Sequence, residues 1–412
     1  PPRSTLFPYT TLFRSNADFF AVAVTSFGLG VVAAPWVVDD LVDFFYQPWP
    51  LALTHIFTLG WITAAMMGVM YRYVPALTKG VVRFPRLASL QLWLFIIGAA
   101  GMVTHFAIGR WIATWLAAGV VVLSVALFAL NMLPCLIPSW RRGVAETGMS
   151  AAIFFLLIAA VLGLLLALDK TFGFLGGSVI TNLAGHAHLA ALGWVSLTIC
   201  AVSYRMVPAF LLPGVELPRA ATWQLYGLAA AVAGLGLALL GGMGGAPIWS
   251  VAVMVALLAY IVVLGALVRN RRMPIDWTMR HALAGVVHLV LSAGLGLSLA
   301  WIDAGTALGN GVAGAYGVLG LLGWVTNFIV GMSYQLFPGF IAGLRVTLGW
   351  PRLSIAELSL LRFRPFVFFS LNVGVVLLAA ALIAADVLLA RLGAIIIATD
   401  RKSTRLNSSH ER

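Results

Sequence analysis

The sequence predicts an all-α polytopic membrane protein with about twelve transmembrane helices, arranged as three pseudo-symmetric four-helix repeats. Hydrophobic residues make up 62% of the 412 residues and charged residues only 9%, a balance outside the range of soluble domains. Apolar runs of about 20 residues recur along the chain, and each is long enough to cross the hydrocarbon core of a bilayer. One helical sequence pattern also occurs three times at nearly equal intervals, which is typical of a repeat architecture.

The two ends of the chain resemble translated sequencing adapters rather than protein. The segments are Thr5 to Ser15, "TLFPYTTLFRS", and Asp400 to His410, "DRKSTRLNSSH". We therefore predict that residues 1–15 and 400–412 are adapter-derived artefacts and that native residues are missing at both ends. Six of the 25 basic residues lie in these segments, and the composition is that of a membrane protein, so the formal charge of +12 does not indicate nucleic-acid binding.

The remaining residues, 16–399, are predicted to form a single transmembrane domain with repeats at about 17–140, 145–270 and 280–399. Twelve apolar runs fill it, with boundaries good to a few residues. These spans are 17–38, 50–75, 87–108, 111–137, 147–168, 181–208, 220–242, 246–268, 281–302, 311–338, 365–384 and 386–399. The first segment of each repeat is thus span 1, 5 or 9, and the second is span 2, 6 or 10.

Basic residues are distributed very unequally between the two sides of this topology. The loops after odd-numbered spans contain only Arg110 and Lys170, whereas those after even-numbered spans contain sixteen basic residues. The sixteen are Arg72, Lys79, Arg83, Arg86, Arg141, Arg142, Arg205, Arg219, Arg269, Arg271, Arg272, Arg280, Arg345, Arg352, Arg362 and Arg364. The positive-inside rule then predicts a bacterial-type inner membrane protein with the even-numbered loops and both fragment ends in the cytoplasm.

Spans 2, 6 and 10 share the repeated pattern. They read "HIFTLGWITAAMMGVMYRYVPAL", "HLAALGWVSLTICAVSYRMVPAF" and "VLGLLGWVTNFIVGMSYQLFPGF", with tryptophans separated by 133 and 130 residues. The matched positions are Gly60/Gly193/Gly323, Trp61/Trp194/Trp324, Tyr71/Tyr204/Tyr334 and Pro75/Pro208/Pro338. We expect glycine to allow close helix approach, tryptophan and tyrosine to lie at the membrane interfaces, and proline to end each helix.

The pattern begins with a histidine in the first two repeats, His55 and His188, and with Val318 in the third. Histidine inside a membrane span is costly, and a neutral imidazole is a good ligand for haem iron or copper. A hydrogen bond to a neighbouring helix is the alternative role. His186 lies two residues before His188, about 200° away around a helix, so the two imidazoles are poorly placed to chelate one metal.

Further candidate ligands are weaker. His105 lies at the end of span 3, at a depth similar to that of His55, and Tyr316 precedes Val318 in span 10. His281 and His288 are seven residues apart, on one face of span 9; we expect His281 to be interfacial and His288 to lie deeper. No native Asp, Glu or Lys lies convincingly inside a span, which argues against a proton pump or an ion-coupled carrier.

His55 is followed by Gly68, Tyr71, Val74 and Pro75, and this ending, with the twelve spans in three arcs, resembles subunit I of the haem-copper oxidases and nitric oxide reductases. The resemblance implies that His55 ligates a low-spin haem. In that family, however, His-x-His lies on helix 10 and a His-His pair on helix 7 binds copper. Here His-x-His lies on span 6, and span 7 contains no histidine. Oxygen reduction, nitric oxide reduction and proton pumping are therefore not implied.

These observations together predict a haem-binding membrane protein, with a b-type haem between spans 2 and 6 and copper as a further possible cofactor. His55 would be one ligand and His186 or His188 the other, and bis-histidine ligation suits electron transfer or sensing better than substrate activation. A cytochrome or another respiratory subunit is the expected partner besides the lipid bilayer. The alternatives are a cofactor-free twelve-helix transporter and a structural partner of a respiratory complex, with histidines that serve only helix packing.

Overall fold

A computed structural model describes the chain over residues 7–139, 143–211, 217–240, 242, 244–303, 305–351, 353–358 and 361–398. Residues 1–6 and 399–412, which include most of the predicted adapter-derived ends, lie outside the described residues. The described residues form helices and short connections, without a strand among them. The all-α prediction is therefore confirmed.

Within the described residues, eleven helices are long and apolar enough to cross a membrane, and a twelfth apolar helix is shorter, which confirms the predicted polytopic membrane class. We label them α1 Phe7–Asp43, α2 Pro48–Thr78, α3 Pro85–Ala107, α4 Thr114–Ser139, α5 Val144–Phe172, α6 Val179–Leu211, α7 Arg219–Leu240, α8 Ala246–Arg269, α9 Trp277–Ser298, α10 Ala307–Val346, α11 Leu361–Ala384 and α12 Val387–Ala398. The apolar part of α1 is Ala17–Asp43, and the helical backbone extends back to Phe7.

The chain divides into two compact units. One comprises Pro1–Ala23 and Ile62–Pro274, and the other comprises Val24–Trp61 and Ile275–Arg412. Helices α3 to α8 belong wholly to the first unit and helices α9 to α12 to the second. Both α1 and α2 contribute residues to each unit.

The third and fourth helices of a repeat pack closely along each other. A Cβ atom added at Gly98 of α3 would lie 2.9 Å from the backbone nitrogen of Val121 in α4. A Cβ atom added at Gly374 of α11 would similarly lie 2.9 Å from the carbonyl oxygen of Gly393 in α12. Small residues at these crossings let the backbones approach and increase the packing contacts that hold helices together in lipid.

The repeated glycines bring α2, α6 and α10 against the first helix of the same repeat. A Cβ atom added at Gly60 would lie 2.5 Å from Ser26 Oγ, and one added at Gly193 would lie 2.5 Å from Phe155 Cγ. At Gly323 it would lie 2.6 Å from His288 Cγ. Because real Cβ atoms do not approach other atoms this closely, the expectation that these glycines allow close helix approach is confirmed.

The expected interfacial tryptophans are instead enclosed by protein. Trp61, Trp194 and Trp324 are each 4% exposed or less. The Trp61 indole donates to Thr326 Oγ1 at 3.0 Å, and the Trp194 indole donates to Thr63 Oγ1 at 3.3 Å. Thr63 and Thr326 occupy equivalent repeat positions, so a hydroxyl satisfies the buried N–H group in both cases.

The repeated prolines do not end their helices either. Pro75, Pro208 and Pro338 lie inside helical segments that continue to Thr78, Leu211 and Thr347. The expectation was therefore wrong. A proline removes one backbone donor, and a membrane helix tolerates that loss where neighbouring groups satisfy the freed carbonyl.

Candidate functional site

Each of α2, α6 and α10 contains an eight-residue π-helical segment. The segments are Ile56–Thr63, Leu189–Ser196 and Leu319–Thr326. Their starting residues are separated by the same 133 and 130 residues as the repeated tryptophans. A π-helix is rare, and when present it frequently marks a functional site, so these segments direct attention to the residues beside them.

The side-chain hydroxyl of the residue that ends a π-segment donates over the same five-residue spacing as the backbone hydrogen bonds of a π-helix. Ser196 Oγ donates to the carbonyl oxygen of Ala191 at 2.9 Å, and Thr326 Oγ1 donates to that of Leu321 at 3.0 Å. In both cases the acceptor lies five residues earlier, the separation that backbone bonds have in a π-helix. The Ser or Thr at this repeat position therefore supports the local backbone geometry.

His55 and His188 are each the last residue of the α-helical part that precedes a π-segment. His55 Nδ1 lies 2.8 Å from the Leu51 carbonyl oxygen, and His188 Nδ1 lies 2.7 Å from the Ala184 carbonyl oxygen. A carbonyl oxygen can only accept, so Nδ1 carries the hydrogen in both rings and Nε2 carries the lone pair. The two half-buried imidazoles thus share one backbone position and one tautomer.

His186 has different surroundings. A Cβ added at Gly163 of α5 would lie 3.0 Å from His186 Cε1, so this ring packs against the first helix of its own repeat. Tyr316, at the matching position of the third repeat, packs in a similar way against Gly296 of α9, where an added Cβ would lie 2.8 Å from Tyr316 Cε2. Residues 186–188 are helical, and this geometry directs the rings of His186 and His188 to different sides of α6. Only His188 shares the geometry of His55.

His105 has a local role at the end of α3. Its Nδ1 lies 3.0 Å from the carbonyl oxygen of Arg110, five residues later, and the side chain is partly exposed. This hydrogen bond closes the turn that follows the helix.

His281 and His288 belong to a buried polar cluster in the second unit. His281 Nδ1 donates to Asn327 Oδ1 at 2.8 Å, and His288 Nε2 donates to Asn372 Oδ1 at 2.9 Å. The two amides bond each other at 3.1 and 3.2 Å, and the Tyr334 hydroxyl donates to His281 Nε2 at 3.3 Å. His281 is 0% exposed, so it is enclosed by protein, and both its ring nitrogens are engaged.

The asparagines of this cluster were missed by the sequence analysis, yet the repeat contains a signal for them. In the first two repeats the repeated tyrosine donates to a buried glutamine 20 residues later: Tyr71 to Gln91 at 3.3 Å and Tyr204 to Gln224 at 3.0 Å. Asn372 supplies a half-buried amide from the corresponding third helix of the last repeat. An amide inside an otherwise apolar span therefore indicates a polar cluster, because it must find hydrogen-bond partners there.

Among the described residues, no group of three or more His, Cys, Asp or Glu side chains is arranged to hold a metal ion. No model of a known protein family matches the chain, and no curated protein matches it in sequence.

Proposed function

We propose that the chain is a haem-binding integral membrane protein of the cytochrome oxidase subunit I-like type, and that His55 and His188 would each offer an imidazole to haem iron. The observation that carries the proposal is their shared geometry: the same repeat position, the same following π-segment and the same Nδ1–H hydrogen bond to a carbonyl oxygen four residues earlier. In metal proteins a ligating imidazole usually donates its other N–H to such an acceptor, which fixes the tautomer and orients the ring.

The residues present fit a haem by their donor chemistry. A porphyrin supplies most of the iron's nitrogen ligands, so the protein needs to add only one or two imidazoles. His55 and His188 each hold a lone pair at Nε2, the atom that a haem iron takes from histidine. When bound, the haem supplies reversible one-electron chemistry, which suits electron transfer or sensing. The protein's own contribution is to hold two neutral imidazoles in one tautomer within apolar surroundings.

The proposed setting is a bacterial-type inner membrane, with the even-numbered loops and both ends of the chain in the cytoplasm. The charge asymmetry of the loops supports this orientation. A respiratory cytochrome or a related subunit would exchange electrons with the bound haem. Copper remains a second cofactor to test on the same preparations.

The test is a reduced-minus-oxidised optical spectrum of the purified protein, produced with haem available. We expect sharp low-spin bands, because imidazole gives iron a strong ligand field. His55→Ala and His188→Ala should each weaken those bands, since each change removes an imidazole proposed to ligate haem iron. The haem content per chain, measured as the pyridine adduct, should fall in parallel.

His105→Ala is the matched control, because it removes an imidazole whose hydrogen bond only closes a turn. Its spectrum should equal that of the unmodified protein, and His186→Ala should retain the low-spin bands. A folded but colourless protein would contradict the proposal. So would unchanged bands in both His55→Ala and His188→Ala, and the transporter or structural role would then be the better hypothesis.

A further inference from the structure

The connection after α10 begins with a well-defined helix cap. Gly349 has φ of +71°, its N–H donates to the Val346 carbonyl at 3.2 Å, and the Trp350 N–H donates to the Arg345 carbonyl at 2.8 Å. This pair of bonds is the Schellman motif, in which a left-handed glycine turns the chain back across the helix end. It places Trp350 beside the last turn of α10.

The cap orients the guanidinium of Arg345. Its Nε donates to the Pro351 carbonyl oxygen at 2.8 Å, and its Cζ lies 5.7 Å from the centre of the Trp350 ring. Among the described residues, no hydrogen-bond acceptor is found for its terminal Nη atoms. A planar fork held in this way, by one hydrogen bond and one aromatic face, is suited to bind the oxygens of a phosphate.

The surroundings of Arg345 are apolar. Trp350 is 56% exposed, and Val346, Leu348 and Leu353 are also exposed on the same stretch of chain. Tryptophan beside exposed aliphatic residues is typical of the membrane–water interface.

The one acidic residue between Arg345 and Arg364 is Glu357. It is already engaged, because it accepts hydrogen bonds at 2.7 Å from the backbone N–H and from the hydroxyl of Ser354. These bonds hold the pKa of the Glu357 carboxyl below its usual value, so it stays ionised near Ser354. Glu357 is therefore not the partner of Arg345, and among the described residues no ion pair of Arg345 is found.

We propose that Arg345 and Trp350 bind the phosphate of an anionic phospholipid in the leaflet on their side of the membrane. The guanidinium fork would take the phosphate oxygens, and Trp350 with its aliphatic neighbours would contact the glycerol and upper acyl region. Juxtamembrane arginines of this kind are attracted to the negative surface potential of anionic lipids. The exposed apolar side chains favour a lipid over a free phosphate ion.

The test measures binding of phosphatidylglycerol to the purified full chain by native mass spectrometry, after delipidation into a neutral detergent. Arg345→Gln should weaken the binding about tenfold, the scale of one lost charge-assisted hydrogen-bond pair. Arg345→Lys keeps the charge but lacks the Nε donor and the planar fork, so it should also weaken the binding. Arg271→Gln is the matched control, because Arg271 is exposed in the loop after α8, where its side chain bonds only the Val268 carbonyl among the described residues.

Each outcome decides the proposal. Weaker binding in both Arg345 variants, with Arg271→Gln unchanged, supports it; if Arg345→Gln does not fold, Arg345→Lys alone gives the comparison. Equal binding in all variants would overturn it. Displacement of the lipid by millimolar inorganic phosphate, or equal retention of phosphatidylcholine, would also overturn it, since the site would then select a free anion or any lipid.

Discussion

Gly311→Ala is expected to destabilise the protein by about 2–3 kcal/mol, the cost of overpacking a close contact. A Cβ at this position of α10 would lie 2.4 Å from the Leu382 carbonyl oxygen and 3.1 Å from Ile383 Cα, both in α11. These are backbone atoms, so no rotamer change can relieve the clash and the two helices must separate. Thermal unfolding in detergent, followed by the loss of helical circular dichroism, would measure the effect.

Gly317→Ala is the control on the same helix. No atom lies within 4 Å of an added Cβ there, and alanine is the better helix former by roughly 1 kcal/mol. This variant should be as stable as the unmodified protein or more so. Similar losses of stability at both positions would show that the close contact at Gly311 is not the cause.

Asn327→Ala is expected to cost about 2–4 kcal/mol, because it leaves several buried polar groups without partners. The Asn327 side chain accepts from His281 Nδ1 at 2.8 Å, and it bonds the Asn372 amide at 3.1 and 3.2 Å. It also donates to the Gly323 carbonyl at 2.7 Å. Its loss therefore removes the hydrogen bonds that this amide makes from α10 to α9 and to α11. Unfolding by sodium dodecyl sulfate, measured in mixed micelles, reports this change directly.

Asn270→Ala removes the same side chain at an exposed site. Asn270 donates only to the Ala266 carbonyl oxygen at 2.9 Å at the end of α8, so its replacement should change stability by no more than about 0.5 kcal/mol. A loss at Asn327 no larger than the loss at Asn270 would be evidence against a stabilising role of the buried cluster.

The predictions that depended on the properties of a whole segment, such as its length and apolarity, agree with the structure. Membrane spans follow from the length and apolarity of a whole segment, so their number and approximate bounds could be predicted from sequence. The repeat could be predicted as well, because Gly60, Gly193 and Gly323 recur in register, and all three make close contacts with a neighbouring helix. The expected roles of Trp61 and Pro75 were wrong, because the position and contacts of a single residue depend on its neighbours in the fold as well as on its residue type.

The candidate site was only partly predictable for the same reason. Residue type and repeat position identified His55 and His188 as candidates. Their hydrogen bonds to Leu51 and Ala184 depend on the three-dimensional positions of these groups, which the sequence pattern does not give. His281 was expected at an interface because it begins a span, whereas its burial depends on Asn327, which is 46 residues away in the chain. Haem ligation itself stays a prediction until the spectrum is measured.

The π-segments have a consequence for the definition of the repeat. A turn with i to i+5 hydrogen bonds encloses one residue more than an α-helical turn. Ile56–Thr63, Leu189–Ser196 and Leu319–Thr326 have equal length and the same distance from the repeated tryptophan. The wider turn therefore belongs to the repeated unit itself rather than to one copy of it. The histidine before the turn is the part that varies, because Val318 occupies its position in the third copy.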